Sequence, residues 1–156
     1  MRTQPYTGPL QGMPTATFEK LDPRARSPEK TNSIGWDIFS YLLTESGRET
    51  SRAIHQKGVT EVRTAIIVHP PPDYYFQVVS KTHLARRGVF VANSPGLVDP
   101  TFQEELTIFL FNGSYQTEYI PHGHRIAQLI LLPVPKFDFR ERSGVSSPEH
   151  QEDVHP

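Results

Sequence analysis

Short apolar runs separated by turn residues recur through the middle of this chain. Several of the runs are rich in β-branched or aromatic residues, which favour strands over helices. The pattern predicts strands at 65–68, 74–79, 89–91, 106–111, 115–120 and 125–132. Asn112-Gly113 lies between two of these runs and predicts a hairpin turn there. Many short strands at this spacing are typical of a sandwich, a jelly roll or a barrel.

The predicted strand 106–111 is apolar on both of its faces. Leu106, Ile108 and Leu110 alternate with Thr107, Phe109 and Phe111. Because alternate residues of a strand point to opposite sides, the strand should be covered on both sides. A second subunit is one candidate for the element that covers the second face.

One segment breaks the strand pattern. Residues 82–88 read as a short helix, with Thr82 as its N-terminal cap and Gly88 as its end. The free N–H groups of a helix N-terminus attract phosphate, and Lys81 and Arg86 would add positive charge. The competing interpretation is an ordinary surface helix with solvated cations.

The length and composition bound the organisation of the chain. Its 156 residues, with fifteen prolines and ten glycines, suit about one domain of short elements. Residues 1–17 form a predicted loose leader, residues 18–139 the domain, and residues 140–156 a polar arm or tail. The absence of cysteine excludes disulfides and thiolate metal sites.

The charge balance argues against a polyanionic partner. The net charge is −1, which gives no general attraction to nucleic acid or to a membrane surface. The longest apolar run, 126–134, is too short for a membrane helix, and the N-terminus lacks the apolar core of a secretory signal. We therefore expect an intracellular, most simply cytoplasmic, protein without nucleic-acid or membrane partners.

Polar residues inside or at the ends of apolar runs are the candidates for chemistry. Asp37 is a carboxylate that needs a partner or a metal if it is buried. Asp99 closes an apolar run, where it would either activate a water or cap the turn before Pro100. Gln128 should point inward, towards a ligand or the backbone. His122 and His124 are spaced to share a metal, but without a third ligand they are better explained as exposed turn histidines.

Taken in order, these segments resemble the motif series of trimeric dUTPases. Ser33 to Asp37 is similar to the first motif, Lys81 to Ala85 occupies the place of the second, and Asn93 to Phe102 resembles the third closely. Gly123 to Gln128 is similar to the fourth motif. The resemblance covers about residues 18–135, and the third and fourth motifs are the specific ones.

The resemblance implies a fold, a reaction and a set of roles. The fold would be a mainly β, dUTPase-like β-clip/jelly-roll with one short helix, assembled as a homotrimer. The reaction would convert dUTP to dUMP and pyrophosphate with Mg²⁺, which Asp37 would hold through water. Asp99 would activate the attacking water. Substrate would be bound at the phosphates by Lys81, Thr82, His83, Arg86 and Gln128, at the base by Asn93, Gly96 and Leu97, and at the deoxyribose by Phe102.

The chain departs from the family pattern at several positions. Lys81-Thr82-His83 stands where Arg-Ser-Gly is usual, and His124 where an acidic residue is usual. Two glutamates, Glu104 and Glu105, follow Phe102, and the only candidate fifth motif, 142–147, lacks its aromatic residue. Two alternatives therefore stay open: a non-catalytic relative that binds or regulates, and an enzyme acting on dCTP or a modified deoxynucleotide. The dCTP deaminases, which segments 84–88 and 98–100 also resemble, use a glutamate as proton carrier where this chain has Phe109, so deamination by that mechanism is not expected.

Overall fold

The computed structural model describes residues 12–30, 32 and 34–142, which form antiparallel strands and one short helix. Ser33, most of the predicted leader and most of the candidate fifth motif lie outside these residues. The elements are β1 (Thr17–Lys20), β2 (Glu29–Lys30), β3 (Trp36–Phe39), β4 (Ser51–Ile54), β5 (Val59–Arg63), β6 (Ile66–His69), β7 (Tyr74–Val79), α1 (Thr82–Ala85), β8 (Val89–Val91), β9 (Gly96–Val98), β10 (Thr107–Asn112), β11 (Glu118–Pro121) and β12 (Arg125–Pro133).

Four sheets enclose one apolar core. The largest has the order β2-β3-β12-β7-β9, and the next β5-β10-β8; β1 pairs with β6, and β11 with β4. Ile38, Val62, Ile108 and Ile126 are almost fully buried between the sheets. The prediction of a mainly β, jelly-roll type of fold with one short helix is confirmed. Among the described residues, no helix has the length and apolar content to span a bilayer.

The strands that bury a regular apolar stripe are the ones that the sequence predicts. Strands β7 and β8 have the predicted bounds, β6 and β10 are displaced by one residue, and β12 extends one residue beyond its predicted end. The predicted strand 115–120 is observed as β11, which begins three residues later and ends one residue later. Strands β1, β2, β4 and β5 were not predicted because most of their residues are exposed or half-buried, so no apolar alternation marks them.

The predicted hairpin at Asn112-Gly113 is wrong. Strand β10 pairs with β5 and β8, whereas β11 pairs with β4 in a different sheet. The buried Asn112 side chain donates to the carbonyls of Ile54 at 2.8 Å and Gln116 at 2.7 Å, and accepts the Ser114 N–H at 2.9 Å. These bonds tie the turn to β4, so the chain crosses between sheets instead of folding back on β10.

Among the residues that the structure describes, only one face of β10 is fully covered. Ile108 and Leu110 are buried, but Phe109 on the other face is 39% exposed. Phe90 and Val59, which lie opposite Phe111 on the same face, are 41% and 59% exposed, and Glu61 lies opposite Phe109. The second apolar face of β10, which the sequence predicts to be covered, is therefore partly exposed in the described residues.

The helix is confirmed, with a correction to its start. Lys81, and not Thr82, is the N-terminal cap, and it has an extended backbone and no side-chain capping bond. The chain turns at Lys81 as it leaves β7, so Thr82 is already helical. The end is also corrected: the helix stops at Ala85 with Arg86 as its C-terminal cap, before the predicted end at Gly88. Gly88 ends the turn that follows, with a φ of +80° that glycine adopts without strain.

Gly35, just before β3, has no room for a side chain. A Cβ there would lie 2.5 Å from Cγ and 2.7 Å from Cδ of Gln128, and 2.7 Å from the Leu129 carbonyl oxygen. We expect Gly35→Ala to lower the free energy of unfolding by about 1–3 kcal/mol, because overpacking displaces both the side chain and the strand. Urea unfolding would measure it. Gly58→Ala, whose nearest contact is 3.2 Å, is the control, and equal midpoints for the two variants would contradict the expectation.

Candidate functional site

Asp37 is a buried carboxylate with cations on both oxygens. It lies in β3 opposite Gln128 of β12 and has no exposed surface. The Lys81 ammonium donates to Oδ1 at 2.5 Å, and the Arg125 guanidinium lies 3.6 Å from Oδ2. Within the described residues, Oδ2 accepts no hydrogen bond. The charge of Asp37 is therefore balanced by two residues from other elements.

This arrangement bears on the predicted magnesium role of Asp37. Mg²⁺ prefers oxygen ligands and keeps several waters, so a residue that holds it through water needs an accessible oxygen. Asp37 is closed to solvent and both of its oxygens face cations. In the part of the chain that the structure describes, no three His, Asp or Glu side chains converge to hold a metal. The geometry makes Asp37 the counter-ion of Lys81, and its metal role stays a prediction.

A cavity of about 600 Å³ opens beside this ion pair, and we call it the basic cavity. It is lined by Arg26, Lys81, Thr82, His83, Arg86, Gly123, His124 and Arg125. Four of these side chains are permanent cations and none is acidic, so the cavity attracts an anion. All of the predicted phosphate residues on and beside α1 line it. Gln128 does not, and instead lies half-buried against Gly35.

Arg26 is a cavity residue that the sequence did not predict. Its guanidinium donates to the Gly123 carbonyl at 3.0 Å, is paired with Glu29 at 2.5 Å, and lies 3.7 Å from the centre of the Phe39 ring. No local motif surrounds Arg26, because its partner Gly123 is 97 positions away along the chain. Only the folded structure brings it to the cavity.

His83 and His124 meet inside the basic cavity. Their Nε2 atoms are 3.2 Å apart, and their rings lie 5.2 Å apart at 70°. Burial is the main cause that lowers the pKa of both imidazoles, and the charges of Arg87 and Arg125 lower the pKa of both further. Both rings are therefore mostly neutral at neutral pH.

His122 and His124 flank a turn as predicted, but the expectation that they are exposed is wrong. Both are half-buried. His122 Nδ1 accepts the Leu42 N–H at 2.9 Å and its ring packs edge-on against Tyr41, whereas His124 faces His83. The turn at Gly123, with a φ of +69°, points the two histidines to different partners.

A second cavity, of about 330 Å³, lies along β9, and we call it the β9 cavity. It contains every residue predicted to bind base and sugar: Asn93, Gly96, Leu97 and Phe102. Its other lining residues are Glu61, Val78, Val91, Val98, Glu104, Glu105, Leu106, Thr107, Ile108 and Phe109. Mostly apolar walls with a few polar groups suit a flat organic ring. The β9 cavity shares no lining residue with the basic cavity.

The unusual Glu105 has a structural partner. Its carboxylate accepts the Ala65 N–H at 2.7 Å and pairs with Arg63 at 3.0 Å. Ala65 has a φ of 54°, which is uncommon for a residue with a side chain. Glu105 thus holds a strained turn at the edge of the β9 cavity, and its charge is paired. Glu104, the other departure, and Glu61 also line this cavity.

Asp99 follows β9 directly and is exposed. Its Oδ1 accepts the side-chain hydroxyl of Thr101 at 2.5 Å and the backbone N–H at 2.8 Å. These hydrogen bonds, the hydroxyl first, lower the pKa of the Asp99 carboxyl. Asp99 therefore caps the turn and is at the same time an ionised, accessible base. It lines neither cavity of the single chain.

Comparison with known proteins places these sites in a family. A family model described as dUTPase matches residues 27–154. The deoxyuridine 5'-triphosphate nucleotidohydrolase of Anaplasma marginale is 27% identical over 116 residues, which are 74% of this chain and 75% of that protein. The protein of the same name from Gloeobacter violaceus is 39% identical over 93 residues, 59% of this chain and 63% of the relative.

Solved structures agree on the fold. The dUTPase from phage phi11 of S. aureus has a TM-score of 0.69 at 18% identity, covering 85% of this chain and 99% of that one. A point mutant of the phi11 enzyme, described with a structural Mg(II) ion, gives a TM-score of 0.71 with the same identity and coverage. The fold is thus shared, and the family model matches most of the sequence. The chain belongs to the dUTPase family.

Proposed function

We propose that this chain is a deoxynucleoside triphosphate pyrophosphohydrolase whose substrate is dUTP, cleaved to dUMP and pyrophosphate. One observation carries the proposal: four of the five residues predicted to bind phosphates line one cavity, and all those predicted to bind the nucleoside line a second, separate cavity. The basic cavity has four cations and no carboxylate in its lining, although Asp37 and Glu29 behind it already pair with three of those cations. The β9 cavity offers mostly apolar walls. The names of the similar proteins supply the substrate.

The proposed active site is shared between subunits. The two cavities have no residue in common, and Asp99 lines neither, so the described residues of one chain do not bring nucleobase, water and phosphates together. The open apolar side of β10 at Phe109 and Phe90 offers a surface for the assembly that the family resemblance implies. Light scattering should give about three chains per particle, and a clean monomer would contradict the shared site.

In the proposed reaction, Asp99 takes a proton from a water that attacks the α-phosphorus. A new P–O bond forms to that water, the bond to the bridging oxygen breaks, and pyrophosphate leaves with the electron pair. Arg26, Arg86 and Arg125 of the basic cavity stabilise the charge on the leaving group. Magnesium bound to the triphosphate would neutralise part of its charge, with ligands from phosphate and water. Phe102 would pack on the deoxyribose.

The experiment that tests the proposal is a substrate panel. The purified chain is incubated with Mg²⁺ and each of dUTP, dCTP, dTTP, dATP and dGTP, and pyrophosphate and ammonia are measured separately. We expect pyrophosphate from dUTP and ammonia from none, since Phe109 cannot carry protons. Pyrophosphate from dCTP in preference to dUTP would change the assigned base. Neither product from any nucleotide would favour a binding or regulatory role.

A pH prediction follows from the turn at Asp99. Thr101→Ala removes the hydroxyl that contributes most to lowering the pKa of the Asp99 carboxyl. The pKa should rise, so the base becomes protonated at higher pH during acidification. The acid limb of the kcat/KM profile for dUTP is therefore expected to move to higher pH. An unchanged acid limb would mean that another group sets it.

A further inference from the structure

Two departures from the family pattern meet at one point. His83 stands where the second motif usually has glycine, and His124 where the fourth usually has an acidic residue. The two positions are 41 residues apart in sequence, yet their Nε2 atoms are 3.2 Å apart. No step of the proposed hydrolysis needs the two imidazoles to be in contact. Their convergence is therefore a property of this chain that the family's reaction does not explain.

The geometry of the pair fits two ligands on one metal ion. Two imidazole nitrogens bound to a tetrahedral ion at about 2.0–2.1 Å lie about 3.3 Å apart, with ring centres about 5.2 Å apart. The observed values are 3.2 Å and 5.2 Å. The same contact also has the length of an N–H···N hydrogen bond between suitable tautomers of the two rings, and the metal titration below decides between the two.

The surrounding charges decide what else such an ion would bind. Lys81, Arg86 and Arg125 line the same cavity and repel a bare dication. No third protein ligand converges with the pair in the described residues, so the remaining positions on the ion are open. Phosphate oxygens are attracted by the same cations and would fill those positions. An ion held by both the imidazoles and a phosphate is then favoured over either alone.

We propose that His83 and His124 form a binding site for a borderline divalent transition-metal ion, such as Zn²⁺, whose coordination is completed by oxygens of a phosphate ligand in the basic cavity. Imidazole suits Zn²⁺, Ni²⁺ and Cu²⁺, whereas Mg²⁺ prefers oxygen, so the site is separate from the magnesium of the proposed reaction. The imidazole half of the proposal stands independently. The phosphate half rests on the proposed function, because it takes the basic cavity as the place where phosphates bind.

The first experiment tests the imidazole half with metal alone. The full chain, purified without a histidine tag, is titrated with Zn²⁺ by calorimetry. We expect one equivalent to bind, at least tenfold more weakly in His83→Ala and in His124→Ala, and unchanged in His55→Ala, which removes an exposed imidazole elsewhere. His83→Gly and His124→Asp restore the residues usual in the family and serve as variants compatible with the fold. Equal Zn²⁺ affinity in these variants and the unmodified chain, or no binding by the unmodified chain, would overturn the proposal.

The second experiment tests the phosphate half with inorganic pyrophosphate. With stoichiometric Zn²⁺ present, pyrophosphate should bind the unmodified chain at least tenfold more tightly than the variant carrying both His83→Gly and His124→Asp. Complexation of Zn²⁺ by pyrophosphate in solution is the same for both, so the difference reports the site. With Mg²⁺ in place of Zn²⁺ the difference should shrink. Zn²⁺ binding without any effect on pyrophosphate would overturn the phosphate half.

The outcomes separate this inference from the proposed function. A chain that binds Zn²⁺ at the histidine pair but releases no pyrophosphate from dUTP with Mg²⁺ supports the metal site and contradicts the hydrolase. A chain that hydrolyses dUTP and binds no Zn²⁺ supports the hydrolase and contradicts the metal site.

Discussion

Asp99→Asn is expected to lower kcat/KM for dUTP by about 10²–10⁴-fold while leaving the fold intact. The amide keeps an oxygen in the place of Oδ1, so it still accepts the N–H and the hydroxyl of Thr101, and the turn after β9 is preserved. What it loses is the capacity to accept a proton from water. The measurement is pyrophosphate release with Mg²⁺ across a range of dUTP concentrations.

Asp99→Ala is the comparison that separates chemistry from structure. It removes both the base and the acceptor of the turn, so it should lose activity and also some stability, about 0.5–2 kcal/mol by analogy with other side-chain caps. If Asp99→Asn retained activity while Asp99→Ala lost it, Asp99 would be a turn residue and the base would lie elsewhere. Nucleotide binding should survive in Asp99→Asn, because Asn93 and Phe102 of the β9 cavity are untouched.

The sequence predicted residue types at the sites better than it predicted their partners. Asp37, an isolated carboxylate in an apolar run, lies in a buried strand, as the run predicts. Because burying a charge is costly, the sequence also predicts that it has a partner. Its partner Lys81 lies 44 positions away, in a segment assigned to phosphate binding, and no local pattern joins the two. Likewise, no local pattern joins Arg26 to Gly123 or His83 to His124, and only the folded chain brings them together.

The errors in the fold have the same origin. Asn112-Gly113 carries a strong local signal for a hairpin, yet Asn112 bonds to Ile54 across 58 positions and turns the chain into another sheet. Local propensity is a weak constraint when a buried side chain must satisfy its hydrogen bonds at a distance. Strands that bury a stripe, such as β7, are read correctly because the core imposes its period on their sequence.

Lys81→Met should lower the free energy of unfolding by about 3–5 kcal/mol, the usual cost of leaving one member of a buried ion pair without its partner. Asp37 has no exposed surface, and its remaining cation, Arg125, is 3.6 Å away. Urea unfolding at fixed protein concentration gives the value, since assembly makes stability depend on concentration. Lys136→Met is the matched control. Its pair with Asp73 is largely exposed on both sides, so the loss should be about 0–1 kcal/mol.

The double variant Asp37→Asn with Lys81→Met decides what Lys81 does. If Lys81 serves chiefly as the counter-ion of Asp37, removing the carboxylate charge should recover most of the lost stability, because no buried charge is left unpaired. The affinity for pyrophosphate would then fall only by the amount expected from losing one of the cavity's cations. If Lys81→Met barely affects unfolding but weakens pyrophosphate binding strongly, Lys81 is a phosphate ligand and its contact with Asp37 only positions it. The two results assign the lysine of the second motif to stability or to substrate, a choice that its sequence position leaves open.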